Sequence, residues 1–488
     1  MNSEEIKKAT LSGFFWKFFE RIAAQAVSFI VSIVLARLLV PQDYSVVSIV
    51  AIFFAFANTF ISGGFNSALI QKKNADRLDY SSVLLISTFI AIIIYIALFF
   101  SSPFIADIYD KPILIPVFRV MGITLIINAI KSILCAYTSN NLQFKKFFYA
   151  TFSGTVVSAL VGIIMATNGF GPWALVAQQM TNSTIDTLVL FACTKFRPVL
   201  KISWNKTKDL FSYGWKIFVS SIITTIYNEI NPLIVGIRFS STDLAYYEKG
   251  NNLPGMLNST INSTFSSVLF PVMSKLQDDK KQLLNYTRRF IGTASFLIFP
   301  LMLGLLAVSD NFISVVLTDK WMPASIYIKI FCVTYMFNII QSGNLHVIKA
   351  LGRSDISLIL EIIKKSVYAI VILIFVLISE RPESLAIATI VNTAIASVIN
   401  TYPNRKLIGY QYKLQIIDIL PNLITATVMS AIVFSMNVLP INKVALLVLQ
   451  IVCGVVIYAL SNIIVKNQNL KFILDLLKSL LKNRKKTL

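Results

Sequence analysis

Apolar runs about 20 residues long recur from one end of the chain to the other, separated by short polar or basic gaps. The stretch from Val83 to Phe100 contains no charged residue at all. A helix rises 1.5 Å per residue, so such a run crosses the roughly 30 Å hydrocarbon layer of a bilayer. Every backbone amide there must be paired internally, so the runs read as stacked helices and a water-soluble core is excluded. Spans are predicted near 14–39, 44–70, 81–105, 113–138, 147–167 and 172–193. A basic stretch intervenes, and six more follow near 212–238, 251–273, 290–310, 325–350, 357–378 and 383–403. Two further spans, near 416–437 and 441–465, precede a tail in which Leu and Ile alternate with Lys and Arg from Leu470 to Arg484. That tail is the pattern of an amphipathic surface helix.

The expected fold is therefore an all-α polytopic membrane protein of about fourteen transmembrane helices. It divides into a six-helix lobe (1–193), a basic linker (194–211), a second six-helix lobe (212–403), two accessory helices (404–465) and a basic amphipathic tail (466–488). The two sixes resemble each other. Phe14-Phe15-Trp16-Lys17 reappears as Tyr213-Gly214-Trp215-Lys216, and the first span ends Arg37 to Asp43-Tyr44 where the seventh ends Arg238 to Asp243, followed by Tyr246. Because six is even, both lobes start on the same side, and the duplication is a parallel repeat about an axis along the membrane normal.

The chain has 488 residues, 56% of them hydrophobic, and a formal net charge of +21. In a soluble protein that charge would suggest nucleic acid, but here Lys and Arg collect in the gaps between spans, and topology accounts for them without a nucleic-acid partner. Roughly thirty lie on the side of the N-terminus and about ten on the other, which places both termini in the cytoplasm and the first span as a retained helix, not a cleaved signal. Cys135, Cys193, Cys332 and Cys453 all fall in apolar spans without paired spacing, so neither a disulfide framework nor a thiolate metal site is expected. His346 is the only histidine, which removes histidine metal clusters, and it lies near a cytoplasmic helix end beside Lys349, where no Ser-His-Asp triad is expected. Ser62-Gly63-Gly64 ends no strand and precedes no Gly-Lys-Ser, so ATP hydrolysis has no support, and no catalytic residue is assigned.

Ionisable groups inside the spans carry the information, since each costs roughly 2.5–3.5 kcal/mol near a helix centre on insertion scales. Lys17, Glu20 and Arg21 share one face of the first helix. They either form the polar wall of a cavity or reach out to headgroups with Glu20 as local partner. Asn228, Glu229 and Asn231 lie just past mid-membrane on the seventh helix, followed by Pro232, which removes a helical hydrogen bond. Transporters commonly place sites on such interrupted helices, and interhelix bonding is the competing account. Asp186 and Lys131 are also intramembrane, as an ion pair or as cargo contacts. Glu361 and Lys365, four apart, neutralise each other on paper and leave Lys364 as the odd charge.

The run from Trp16 through Arg37 to Tyr44 resembles the opening of Wzx-type polysaccharide flippases, a branch of the multidrug/oligosaccharidyl-lipid/polysaccharide exporter superfamily. The likeness continues through Gly64-Phe65, Ala68 to Gln71, Gly169 to Leu175, Tyr246-Tyr247 and Phe270-Pro271, and is strongest to colanic-acid and teichuronic-acid exporters. Ser45 and Gly63 depart from the family, which often has Gly and Asp there. The resemblance implies two lobes around a cavity open alternately to each side, two accessory helices, and undecaprenyl-diphosphate-linked oligosaccharide as cargo. It implies Arg21 and Lys17 as diphosphate ligands beside Glu20, with Lys131 as a third contact. Asn228, Glu229 and Asn231 would then face sugar or a coupling cation, with Asp186 a second coupling candidate. The expected cofactor is none beyond a coupling Na+ or H+. The expected partners are membrane lipids, a polysaccharide polymerase and glycosyltransferases, in the bacterial cytoplasmic membrane. A drug/cation antiporter of the same superfamily is the alternative, and a membrane polysaccharide polymerase or ligase the more distant one.

Overall fold

A computed structural model describes residues 25–471 apart from 73, 74, 142, 144, 195 and 200. Lys17, Glu20 and Arg21, and the tail beyond 471, lie outside the described residues. Among those described there is no strand. The chain is a succession of helices: α1 (Gln25–Leu38), α2 (Pro41–Ser62), α3 (Phe65–Gln71), α4 (Arg77–Ile108), α5 (Leu114–Met121), α6 (Ile123–Asn140), α7 (Lys145–Thr167) and α8 (Pro172–Cys193). After the basic stretch come α9 (Trp204–Arg238), α10 (Ser241–Lys275), α11 (Lys280–Phe312), α12 (Ala324–Ala350), α13 (Ser354–Ile378) and α14 (Glu383–Thr401). A short α15 (Asn404–Leu407) leads to α16 (Tyr412–Ser435) and α17 (Lys443–Ile464).

Nine segments among the described residues are long and apolar enough to cross a membrane, α5 and α6 together forming one of them. The more polar α8, α9 and α10, and α13 with its charges at Glu361, Lys364 and Lys365, are of similar length or longer, and α1 supplies a shorter apolar run. Together they occupy the fourteen predicted places, and the protein is a multi-pass membrane protein. Three boundaries differ from expectation. The run at 44–70 is two helices, because Gly63 and Gly64 both take left-handed φ (48° and 73°) and break the hydrogen-bond ladder. Helix α9 starts at Trp204, inside the basic stretch, and at 35 residues is about 50 Å long, more than the hydrocarbon requires. Helix α10 begins at Ser241, not near 251, so the polar residues between them are helical.

By contacts the chain forms two compact units, Met1–Ala245 and Tyr246–Leu488. In the first, α7 packs along α8, α6 contacts both α4 and α8, and α9 lies on α2, α3 and α4. In the second, α13 packs on α14, α12 contacts α11 and α14, and α16 and α17 close on α11.

The repeat is visible in the local chemistry. The Asp43 carboxylate accepts from the Val40 amide at 3.0 Å at the start of α2, and Asp243 accepts from the Ser240 amide at 3.1 Å at the start of α10. Asp76 caps α4, and Asp279 caps α11 through the amides of Lys281 and Gln282. Each cap satisfies donors that the first helical turn leaves open, worth about 0.5–2 kcal/mol. Lys206, at the start of α9, adds an ion pair to Asp76, and that hydrogen bond holds the Asp76 carboxyl down to about 2.

Candidate functional site

The α7–α8 contact is built from small residues facing polar ones. On α7, Gly154, Ser158 and Gly162 recur every fourth position, as do Gln178, Asn182 and Asp186 on α8. A methyl group added at Gly154 would stand 3.1 Å from the Asn182 carbonyl and from the Asp186 Cβ, and one at Gly162 would stand 3.1 Å from the Gln178 Cβ. Such spacing lets helices approach closely in lipid, where packing and polar contacts replace the hydrophobic effect as the driving force. Asp186 is thereby buried, and from the neighbouring α6 the Lys131 ammonium meets it at 2.5 Å. The structure thus brings these two candidates together as a pair, leaving the Lys131 side chain 31% exposed and that of Asp186 6% exposed.

Helix α9 is held to α2 at three levels. Gly214 lies against Gly64, Phe218 packs edge-on against Phe60, and the hydroxyls of Thr225 and Thr59 are 2.9 Å apart. Lys216 and Ser220 stand roughly 200° round the helix from Gly214 and Phe218, and both are exposed. Thr224 and Asn228 continue this row at the next two steps of four and are exposed too. One cation, two hydroxyls and an amide along a span are costly to leave in hydrocarbon, although the Thr224 hydroxyl donates to the Ser220 carbonyl at 2.8 Å within the helix. Beside it runs an exposed apolar row of Trp215, Val219, Ile223 and Ile226.

Glu229 is half-buried next to Asn228 and makes no hydrogen bond or ion pair to any described residue. Asn231 is buried, 2% exposed, within the helix packing, while α9 runs on through Pro232 to Arg238. Asn228, Glu229 and Asn231 therefore occupy three different environments. Asn58 of α2 and Asn128 of α6, 3.5 Å apart, add an amide pair to the same bundle.

Lys216 was not singled out among the sequence candidates, although the repeat that aligns Trp16-Lys17 with Trp215-Lys216 marks it. The pairing at Glu361 also differs from expectation. Its carboxylate takes Lys364 at 2.6 Å, not Lys365. Lys364 is the buried ammonium of the two, and the group that loses more water gains more from a partner. Two motif residues have structural work. Ser45, one of the family departures, accepts from the Lys111 ammonium at 2.6 Å, and Asp43 is the α2 cap already described. Among the described residues no group of three or more His, Cys, Asp or Glu is placed to hold a metal ion.

The chain is 17% identical to the solved "Lipid II flippase MurJ, inward closed conformation", with a TM-score of 0.71 over 94% of this chain and 99% of that one. An inward-facing multidrug resistance MATE family transporter of the MOP superfamily gives a TM-score of 0.57 at 12% identity, over 80% and 98%. At these identities the likeness establishes the fold. In sequence it is 22% identical to the lipopolysaccharide biosynthesis protein WzxC of Escherichia coli K12, over 72% of each chain. It is 23% identical to the teichuronic acid biosynthesis protein TuaB of Bacillus subtilis 168, over 74% of each. It is also 21% identical to the succinoglycan biosynthesis transport protein ExoT of Rhizobium meliloti 1021, over 63% of this chain and 62% of that one. The family model described as "Polysaccharide biosynthesis protein" matches residues 34–326. With more than half of its length matched, the chain belongs to the polysaccharide biosynthesis protein family.

Proposed function

We propose that this protein is a flippase that carries undecaprenyl-diphosphate-linked oligosaccharide across the bacterial cytoplasmic membrane by alternating access, for surface polysaccharide synthesis. The observation that carries this reading is the exposed polar row on α9, from Lys216 through Ser220 and Thr224 to Asn228. A diphosphate needs cations and a glycan needs hydroxyl and amide partners, while the polyprenyl tail can stay in lipid. The family, and relatives named for lipopolysaccharide, teichuronic acid and succinoglycan synthesis, support the same cargo class. So does the fold shared with a lipid II flippase.

In this reading Arg21, Lys17 and Lys216 take the diphosphate beside Glu20, and Asn228 meets sugar. Asn231 holds the helix in place. Lys131 is committed to Asp186, so the coupling cation, Na+ or H+, falls to Glu229, whose carboxylate has no partner among the described residues. The basic loops and both termini face the cytoplasm, where glycosyltransferases load the carrier, and a polymerase consumes it outside.

Arg21→Ala, Lys216→Gln and Glu229→Gln are each expected to lower surface polymer about tenfold or more at equal membrane levels, the worth of one charge-assisted contact. Polymer output unchanged in all three would remove the site. Sensitivity to cationic drugs with normal polymer would indicate the antiporter instead.

A further inference from the structure

At one end of the second unit, the N-terminal turns of α11 and α16 and the turn after α17 enclose a cavity of about 650 Å³. Among the described residues, Arg288, Arg289 and Lys466 line it with one carboxylate, Asp418. Asp418 is itself committed: Arg288 holds it through Nε and Nη2, the latter at 2.7 Å, and the Tyr410 hydroxyl donates to it at 2.9 Å. Lys466 is exposed and takes a left-handed φ of 51°; its amide donates to the Ile463 carbonyl at 3.1 Å, and its ammonium has no partner among the described residues. The described lining thus carries three cations and one anion.

The lining amide Asn467 is tied to amides behind it. Asn422 donates to the Gly292 carbonyl and to the Ser295 hydroxyl, both at 2.8 Å, and Asn467 donates to Asn422 Oδ1 and to Asn462 Oδ1, both at 2.7 Å. A methyl group at Gly292 would come within 2.8 Å of Asn469 Oδ1, so the lining has no slack there. Ile417 and Val465 of its lining are apolar and exposed, as are their chain neighbours Ile416 and Leu420 on α16 and Ile463 and Ile464 at the end of α17. In a membrane protein those side chains lie against acyl chains, so the cavity opens where a lipid's head meets its tails.

We infer that this cavity holds the headgroup of an anionic glycerophospholipid, its phosphate on Arg289 and Lys466 and its acyl chains along α16 and α17. Such a lipid would fasten the accessory helices to α11. The inference does not rest on the flippase reading, because a resident lipid serves the fold whatever the cargo. The shared chemistry, a phosphate-bearing head on an apolar tail, also describes a polyprenyl diphosphate, and the test separates the two.

Full-length protein is reconstituted in phosphatidylcholine nanodiscs with and without phosphatidylglycerol, and bound lipid is read by native mass spectrometry after stepwise delipidation. Wild type is expected to retain phosphatidylglycerol. Arg289→Gln and Lys466→Gln should each lower retention about fivefold, the effect of one basic residue near a charged surface. Both leave the Arg288–Asp418 pair intact. Lys443→Gln, at the far end of α17, should change nothing. Retention unchanged in the two variants, an equal loss with Lys443→Gln, or displacement of phosphatidylglycerol by an equimolar polyprenyl diphosphate would each overturn the inference.

Discussion

Gly64→Ala is expected to unfold the first unit or sharply lower its thermal midpoint, with a loss of roughly 3–5 kcal/mol. Two costs combine. Gly64 has φ of +73°, where a Cβ meets its own backbone. That Cβ would also stand 2.1 Å from the Gly214 carbonyl oxygen of α9, a backbone atom that cannot rotate aside. Gly352 provides the control, because its φ is +70° but nothing lies within 4 Å of the same added atom. Gly352→Ala should therefore cost only the conformational part, about 1–2 kcal/mol. Thermal unfolding of purified protein in detergent reads both. Equal losses would mean that the close approach of Gly214 to Gly64 adds no cost.

Lys131→Met is expected to destabilise by about 3 kcal/mol or more, because it leaves the Asp186 carboxylate buried against α7 without its cation. Asp186→Leu should do less harm, since the Lys131 side chain is 31% exposed and its ammonium can turn toward water. Combining the two should recover much of the loss, because two apolar groups need no partner. The double variant also divides structure from transport. If it folds and still exports polymer, the pair belongs to the α6–α8 contact, and coupling rests with Glu229. A stable double variant that exports nothing would return Asp186 to the coupling role.

The spans were readable because an apolar run near the hydrocarbon thickness has one common solution, a helix. The repeat was readable from Trp16-Lys17 against Trp215-Lys216, and its capping aspartates at 43 and 243 proved to have the same role. The break at Gly63-Gly64 was hidden because two glycines in an apolar run leave its hydropathy intact, while their φ values depend on how α9 packs. The extents of α9 and α10 were hidden because polarity was read as a gap, whereas both helices continue through their polar residues. Lys131 and Asp186 were recognised as charges in the wrong solvent, but their pairing needed the α6–α8 contact. Lys216 lay in a motif already noticed and was missed because it sits near a span end, where a lysine ordinarily reaches headgroups.

The central claim is that this protein moves a lipid-linked glycan from one face of the membrane to the other. Its most direct test is to deplete the protein in its native cell and label the lipid-linked oligosaccharide with a membrane-impermeant reagent, in intact cells and in inverted vesicles. The account predicts accumulation accessible only from the cytoplasmic face, reversed by wild type and not by Glu229→Gln or Arg21→Ala. Normal exposure of the glycan on the outer face after depletion would contradict it.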